Sequence, residues 1–194
     1  YLPRLSENFN VEILVSMEAI GKRAEYIRNG LDWQRFTTNL DKILSSNCKF
    51  DFGVISSINA LSIASTLEFI QFLENLYHQY KRPVAIKQAV VNFPSHQSPL
   101  VLTPDFCEFL DKTIAYMEQK VDVMPYVPDF FGRWDQYIIF LKNLSESIRN
   151  NTQDRTQDKI IFANWFDEFD QRRNLNLLDT FPEYKDFYEM CKKL

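Results

Sequence analysis

Ser16, Glu18, Lys22, Arg23, Glu25 and Arg28 crowd into one short stretch of the sequence. They accompany VEILVSM, residues 11–17, an apolar run rich in β-branched residues. Such a run reads as a strand covered on both faces, as in a parallel sheet. In α/β barrels and open α/β sheets, ligands bind beyond the C-terminal strand ends, where the connecting loops converge. This polar stretch is the first candidate site. A charged loop at a strand end is also what solvent exposure alone selects, and Arg28 equally suits a helix-surface ion pair with Glu25 or Asp32. Two further polar groups stand on strands downstream. Ser56, Ser57 and Asn59 close the second apolar run, and Lys87, Gln88 and Asn92 interrupt the third. Polar groups on a buried strand need partners. Those facing a barrel interior can reach a substrate, whereas those on the other face bond to neighbouring helices. Asn59 also suits a turn or a cap.

Metal chemistry has less to work with. Cys48, Cys107 and Cys191 are far apart and odd in number, which argues against a disulfide framework and for a reducing cytoplasm. Their spacing fits neither zinc nor an iron–sulfur cluster. His78 lies on an apolar-faced helix and His96 in a loop, each without a second histidine or cysteine at ligand spacing. Asp167, Glu168 and Asp170 read as a solvated face paired with Arg172 and Arg173. The net charge of −4 over 194 residues gives no general affinity for nucleic acid or anionic membrane. No apolar run approaches the length of a bilayer span, and no signal peptide is recognisable.

The elements that must position these residues follow from periodicity. Residues 10–17 form the first strand. Residues 31–46 carry Trp33, Phe36, Leu40, Ile43 and Leu44 at helical spacing. A second strand contains Phe50, Phe52, Val54 and Ile55, with Gly53 marking a bulge or a close approach. Ser65 and Thr66 are placed to cap the next helix, whose apolar face is Leu67, Ile70, Phe72, Leu73 and Leu76. Arg82-Pro83 ends that helix, and VAIKQAVVNF, residues 84–93, is the third strand. This β-α-β-α-β order calls for parallel strands joined by right-handed crossovers, which is half of a (β/α) barrel. Beyond residue 100 the periodicity is helical throughout. Thr103 is placed as an N-cap before Pro104, and residues 126–134 form an aromatic loop punctuated by proline and glycine. The expected fold class is α/β: βα units of a partial barrel over residues 1–100, then a mostly helical extension over 101–194.

Two segments carry a family resemblance. Residues 16–33, SMEAIGKRAEYIRNGLDW, resemble the fifth-strand segment of radical S-adenosylmethionine enzymes, in which a strand ends in Ser-x-Asp-Gly and an arginine follows along the next helix. Ser16, Glu18, Ala19 and Arg28 stand at those positions; Glu18 and Ala19 depart from the family's aspartate and glycine. GKRAEYIRNGLDW, residues 21–33, is similar to the twitch-type subgroup, which has a shortened C-terminal extension. Far downstream, FDEFDQRRNLNLLDTFPEY, residues 166–184, resembles that subgroup's C-terminal stretch, with Asp170, Arg173, Asn176, Phe181, Pro182 and Glu183 in order.

The resemblance implies an enzyme that cleaves S-adenosylmethionine reductively with an electron from a [4Fe–4S] cluster. It also implies a chain whose cluster-binding N-terminal half lies outside this sequence, which opens at Tyr1 close before the first strand. Within residues 1–194 it assigns Arg28 and Ser16 to the cofactor's methionyl end, because a guanidinium forms paired charge-assisted hydrogen bonds with a carboxylate. It assigns the end of the second strand, from Ser56 and Ser57 to Asn59, to the adenine. Lys87, Gln88 and Asn92 are then substrate-side candidates for a peptide or small molecule. A flavodoxin or ferredoxin is the expected electron donor. The alternative is a non-catalytic half-barrel that binds or scaffolds.

Overall fold

Residues 51–58 show what the strands face. Phe52, Val54, Ser56 and Ile58 are buried, whereas Asp51 is exposed and Ile55 and Ser57 are half-buried. Alternation of this kind puts one face of a strand in the core and the other outside it. The computed structural model describes residues 2–120 and 133–194, so the expected aromatic loop at 126–134 lies almost wholly outside the described residues. The order is α1 (Leu2–Asn8), β1 (Glu12–Ser16), α2 (Gly21–Ile27), α3 (Trp33–Leu44), β2 (Asp51–Ile58), α4 (Thr66–Tyr80), β3 (Val84–Val90), α5 (Cys107–Glu118), α6 (Trp134–Arg149), α7 (Thr156–Arg173), α8 (Leu177–Thr180) and α9 (Lys185–Cys191).

The three strands form one parallel sheet in the order β1-β2-β3. Register fixes the two faces. Ile13 and Val15 of β1, Val54 and Ser56 of β2, and Val84 and Ile86 of β3 share the face that joins the main apolar core, with Phe69, Ile70 and Leu73 of α4 and Tyr137 of α6. The opposite face carries Glu12, Leu14 and Ser16, then Gly53, Ile55 and Ser57, then Ala85, Lys87 and Ala89. β1 is therefore not covered on both faces as its composition suggested. Among the described residues it is an edge strand, with exposed ends at Glu12 and Ser16. Gly53 is not a bulge but a close approach: a Cβ there would lie 3.2 Å from Ala85 Cβ and 3.1 Å from Leu14 Cδ2. The main core continues through the C-terminal helices, where Phe162, Phe181 and Tyr184 are fully buried.

Local capping departs from expectation at two helices. Neither the Ser65 nor the Thr103 side chain caps. In both places a 3₁₀ turn, Ser62–Ser65 or Pro104–Phe106, runs straight into the α-helix, so the first helical N–H groups find carbonyls in that turn. Asp32 does cap α3, accepting from Arg35 N at 2.9 Å. At the far end of α3, Arg82 donates to the carbonyls of Leu44 and Cys48, each at 3.0 Å, and stacks over Phe50. Those carbonyls belong to the helix end and the chain leaving it, where backbone acceptors otherwise lack partners.

Glu74 joins α4 to α5. It is 5% exposed and accepts from Tyr116, from Lys120 at 3.1 Å and from His78 at 3.3 Å. Burial alone would raise its pKa, but these three donors hold it below the ordinary glutamate value. A depressed carboxylate stabilises the fold above its unfolded pKa, and that contribution is lost as pH falls through the folded pKa. Glu74→Gln is expected to cost about 1–2 kcal/mol near neutral pH and to flatten the acid limb of stability, as read from urea midpoints between pH 3 and pH 7.

Candidate functional site

Past Ser16 the chain does not enter an exposed loop. Met17, Glu18 and Ala19 are buried, and Gly21, at φ +56°, turns the backbone into α2. A positive φ suits glycine because it has no Cβ. Arg28, just past the end of α2, then reaches back to Glu18 and pairs with it. The Glu18 side chain is 4% exposed and that of Arg28 35%, so a buried acid meets a base that reaches solvent. Burial pushes the Glu18 carboxyl up, and Arg28 pulls the other way without cancelling it. Arg28 Nε is buried and makes no hydrogen bond. Neither anticipated partner takes Arg28. Glu25 Oε1 accepts from Trp33 N at 2.8 Å, and Asp32 caps α3.

Ser16, Ser57 and Lys87 come together on the open face of the sheet. Ser16 and Lys87 flank Ile55 in register, and Ser57 is the next same-face residue along β2. Lys87 Nζ lies 3.5 Å from Glu12 Oε1 and is half-buried. The other candidates stand apart. Ser56 faces the core, its Oγ 3.1 Å from Tyr137 Oη. The Asn59 side chain is engaged locally, accepting from Leu61 N at 2.9 Å and Ser62 N at 3.1 Å, the turn its residue type allows. Gln88 is exposed on the face opposite Lys87, and Asn92 is exposed beyond the end of β3.

Tyr26 was not among the candidates that the sequence singled out, yet it is central to this end of the fold. Tyr26 is 3% exposed; its hydroxyl donates to Asp170 Oδ1 at 2.6 Å, and its ring meets those of Phe169 and Phe181 at 5.1 and 5.5 Å between centroids. Asp170 also accepts from Leu177 N at 2.6 Å, at the first residue of α8. Arg23 spans the same junction, binding Glu183 at 3.0 Å, lying over Phe181 and donating to Ala64 O at 3.2 Å. Asp170 is therefore not part of a solvated acidic face. Arg172 and Glu168 do form an exposed pair at 2.8 Å, but Asp167 bonds Tyr188 and Lys192. A small apolar cavity opens beside this junction, lined by Tyr26, Ile27, Asn59, Leu61, Trp165 and Phe169.

No family model, curated protein or solved structure matches the chain. Its chemistry rests on its own residues.

Those residues accommodate some groups and not others. A ligand carboxylate can approach the solvent-facing part of the Arg28 guanidinium, whose unpartnered Nε is itself buried. An iron–sulfur cluster does not fit the described residues. Cys107 and Cys191 are buried, Cys48 is half-buried, all three are free thiols, and no group of three or more His, Cys, Asp or Glu gathers among the described residues. Burial pushes the Cys191 thiol up to about 11, the opposite of what a thiolate ligand needs. Among the described residues no helix is long and apolar enough to cross a membrane.

Proposed function

We propose that this chain is the C-terminal portion of a radical S-adenosylmethionine enzyme of the twitch type. Its three parallel strands are part of a (β/α) barrel, and the face bearing Ser16, Ser57 and Lys87 lines the cofactor and substrate cavity. The observation that carries this reading is that the two segments resembling the family meet in space. Residues 21–33 and 166–184 are joined by Tyr26–Asp170, Arg23–Glu183 and the stacking around Phe181. This packing supports the reading because both segments border one region of the fold.

In this reading Arg28 and Ser16 hold the methionyl end of the cofactor, Ser57 and the backbone near Asn59 border the adenine, and Lys87 faces the substrate. Bound S-adenosylmethionine would supply the radical chemistry; the described residues offer no ligands for a [4Fe–4S] cluster, which this reading assigns to the barrel's other half. A flavodoxin or ferredoxin serves as electron donor, and the substrate is a peptide or a small molecule. The chain's own contribution is to bind, to orient and to exclude water. Direct binding of S-adenosylmethionine and reductive release of methionine, measured on the complete protein, test this proposal. Arg28→Ala is expected to weaken cofactor binding about 10- to 100-fold, the cost of charged hydrogen bonds to a carboxylate. Unchanged affinity would remove Arg28 from the role.

One observation favours the alternative of a non-catalytic binding module. Glu18 already supplies Arg28 with a carboxylate, so the pair is satisfied in part without any ligand. A complete protein that binds a ligand on the open sheet face but releases no methionine under reducing conditions would establish that reading instead.

A further inference from the structure

Glu18 and Arg28 are mismatched in burial, and the mismatch has a consequence for binding. The acid is enclosed, and its base is open to solvent on one side. A ligand carboxylate approaching Arg28 meets a guanidinium already held by Glu18 and competes with it. Among the described residues, Arg28 is the cation that forms an ion pair with Glu18, and the Tyr137 side chain nearby is a neutral phenol whose own hydroxyl is 3.1 Å from Ser56 Oγ. Once displaced, Glu18 has no second cation to turn to within that set. An enclosed carboxylate without a counter-ion takes up a proton rather than remain charged.

We propose that Glu18 is a positioning residue that makes carboxylate binding at Arg28 proton-coupled: the ligand carboxylate replaces Glu18 on the guanidinium, and Glu18 takes one proton from solvent. This rests on the reading above, which places a ligand carboxylate at Arg28. Charge balances, because one carboxylate arrives at Arg28 as another is neutralised. Glu18 thereby selects for ligands whose carboxylate outcompetes its own, and it ties affinity to pH. Binding that takes up a proton weakens as pH rises, by up to tenfold per pH unit between the free-state and bound-state pKa of Glu18.

Calorimetric titration of the protein with S-adenosylmethionine in phosphate and in Tris, between pH 6 and pH 8, reads proton uptake directly. The wild type is expected to take up close to one proton more per ligand than Glu18→Gln, which should bind at least as tightly. The ligand's own amine titrates alike with both proteins, so the difference belongs to Glu18. If Glu18→Gln does not fold, the wild type decides alone, since decarboxylated S-adenosylmethionine should bind without the extra proton. Equal proton uptake by wild type and variant, or by the wild type with both ligands, overturns the inference and leaves the cofactor reading standing. No binding of S-adenosylmethionine overturns both.

Discussion

Tyr26→Ala is expected to lower the stability of the protein by about 4 kcal/mol, within the range for removing a buried aromatic ring. For a chain of this length that is a fall in Tm of about 8–16 °C. The ring is 3% exposed and wedged among Phe166, Phe169 and Phe181, so its removal leaves a cavity that three rigid rings cannot fill. Tyr26→Phe separates the ring from its hydroxyl. It keeps the packing but deprives Asp170 of a donor at 2.6 Å, an expected loss of about 1–2 kcal/mol. Calorimetric unfolding of both variants checks the order. Equal, small losses would mean that residues 21–33 and 166–184 do not form one packed unit.

Arg28→Ala is expected to cost about 2 kcal/mol at neutral pH and much less near pH 4. Breaking a fully buried ion pair costs ~3–5 kcal/mol because the remaining charge is stranded. The smaller figure applies because the Arg28 side chain is 35% exposed and water screens the pair. The sign of the pH dependence follows from Glu18. Its folded pKa is raised above the unfolded value, so the native state binds more protons than the unfolded state between the two, and stability falls as pH rises through that window. Removing Arg28 raises the folded pKa further and widens the window upward. Urea midpoints of wild type and Arg28→Ala should therefore converge at low pH and diverge toward pH 7. A difference independent of pH would show that Arg28 does not serve Glu18.

Much of the scaffold could be read from the sequence, because period-two and helical apolar patterns are local signals. They place β1, β2 and β3 and the helices between them, and the β-α-β order requires the parallel pairing found. The site was less legible, for reasons that particular residues make clear. Asp170 looks like one of several surface acids beside Arg172 and Arg173; its contacts with Tyr26, 144 positions away, and with Leu177 N make it a half-buried acceptor. Glu18 follows an apolar strand and precedes a charged run, so nothing local shows that the chain dips inward at Met17 to Ala19. Arg28 has three carboxylates within reach of its neighbourhood. The nearer two, Glu25 and Asp32, are taken by the N-terminal end of α3, and Glu18 is left. The covering of β1 was misjudged because β-branched composition reports a strand's propensity, not how many layers lie against it.

The most direct measurement is to sequence the coding DNA in frame before the codon for Tyr1. The account predicts an extension encoding a strand followed by three closely spaced cysteines, the ligands that the described residues do not supply. An in-frame stop or a start codon immediately before Tyr1 would contradict it, and Arg28 with Glu18 would then belong to a binding module that stands without a cluster.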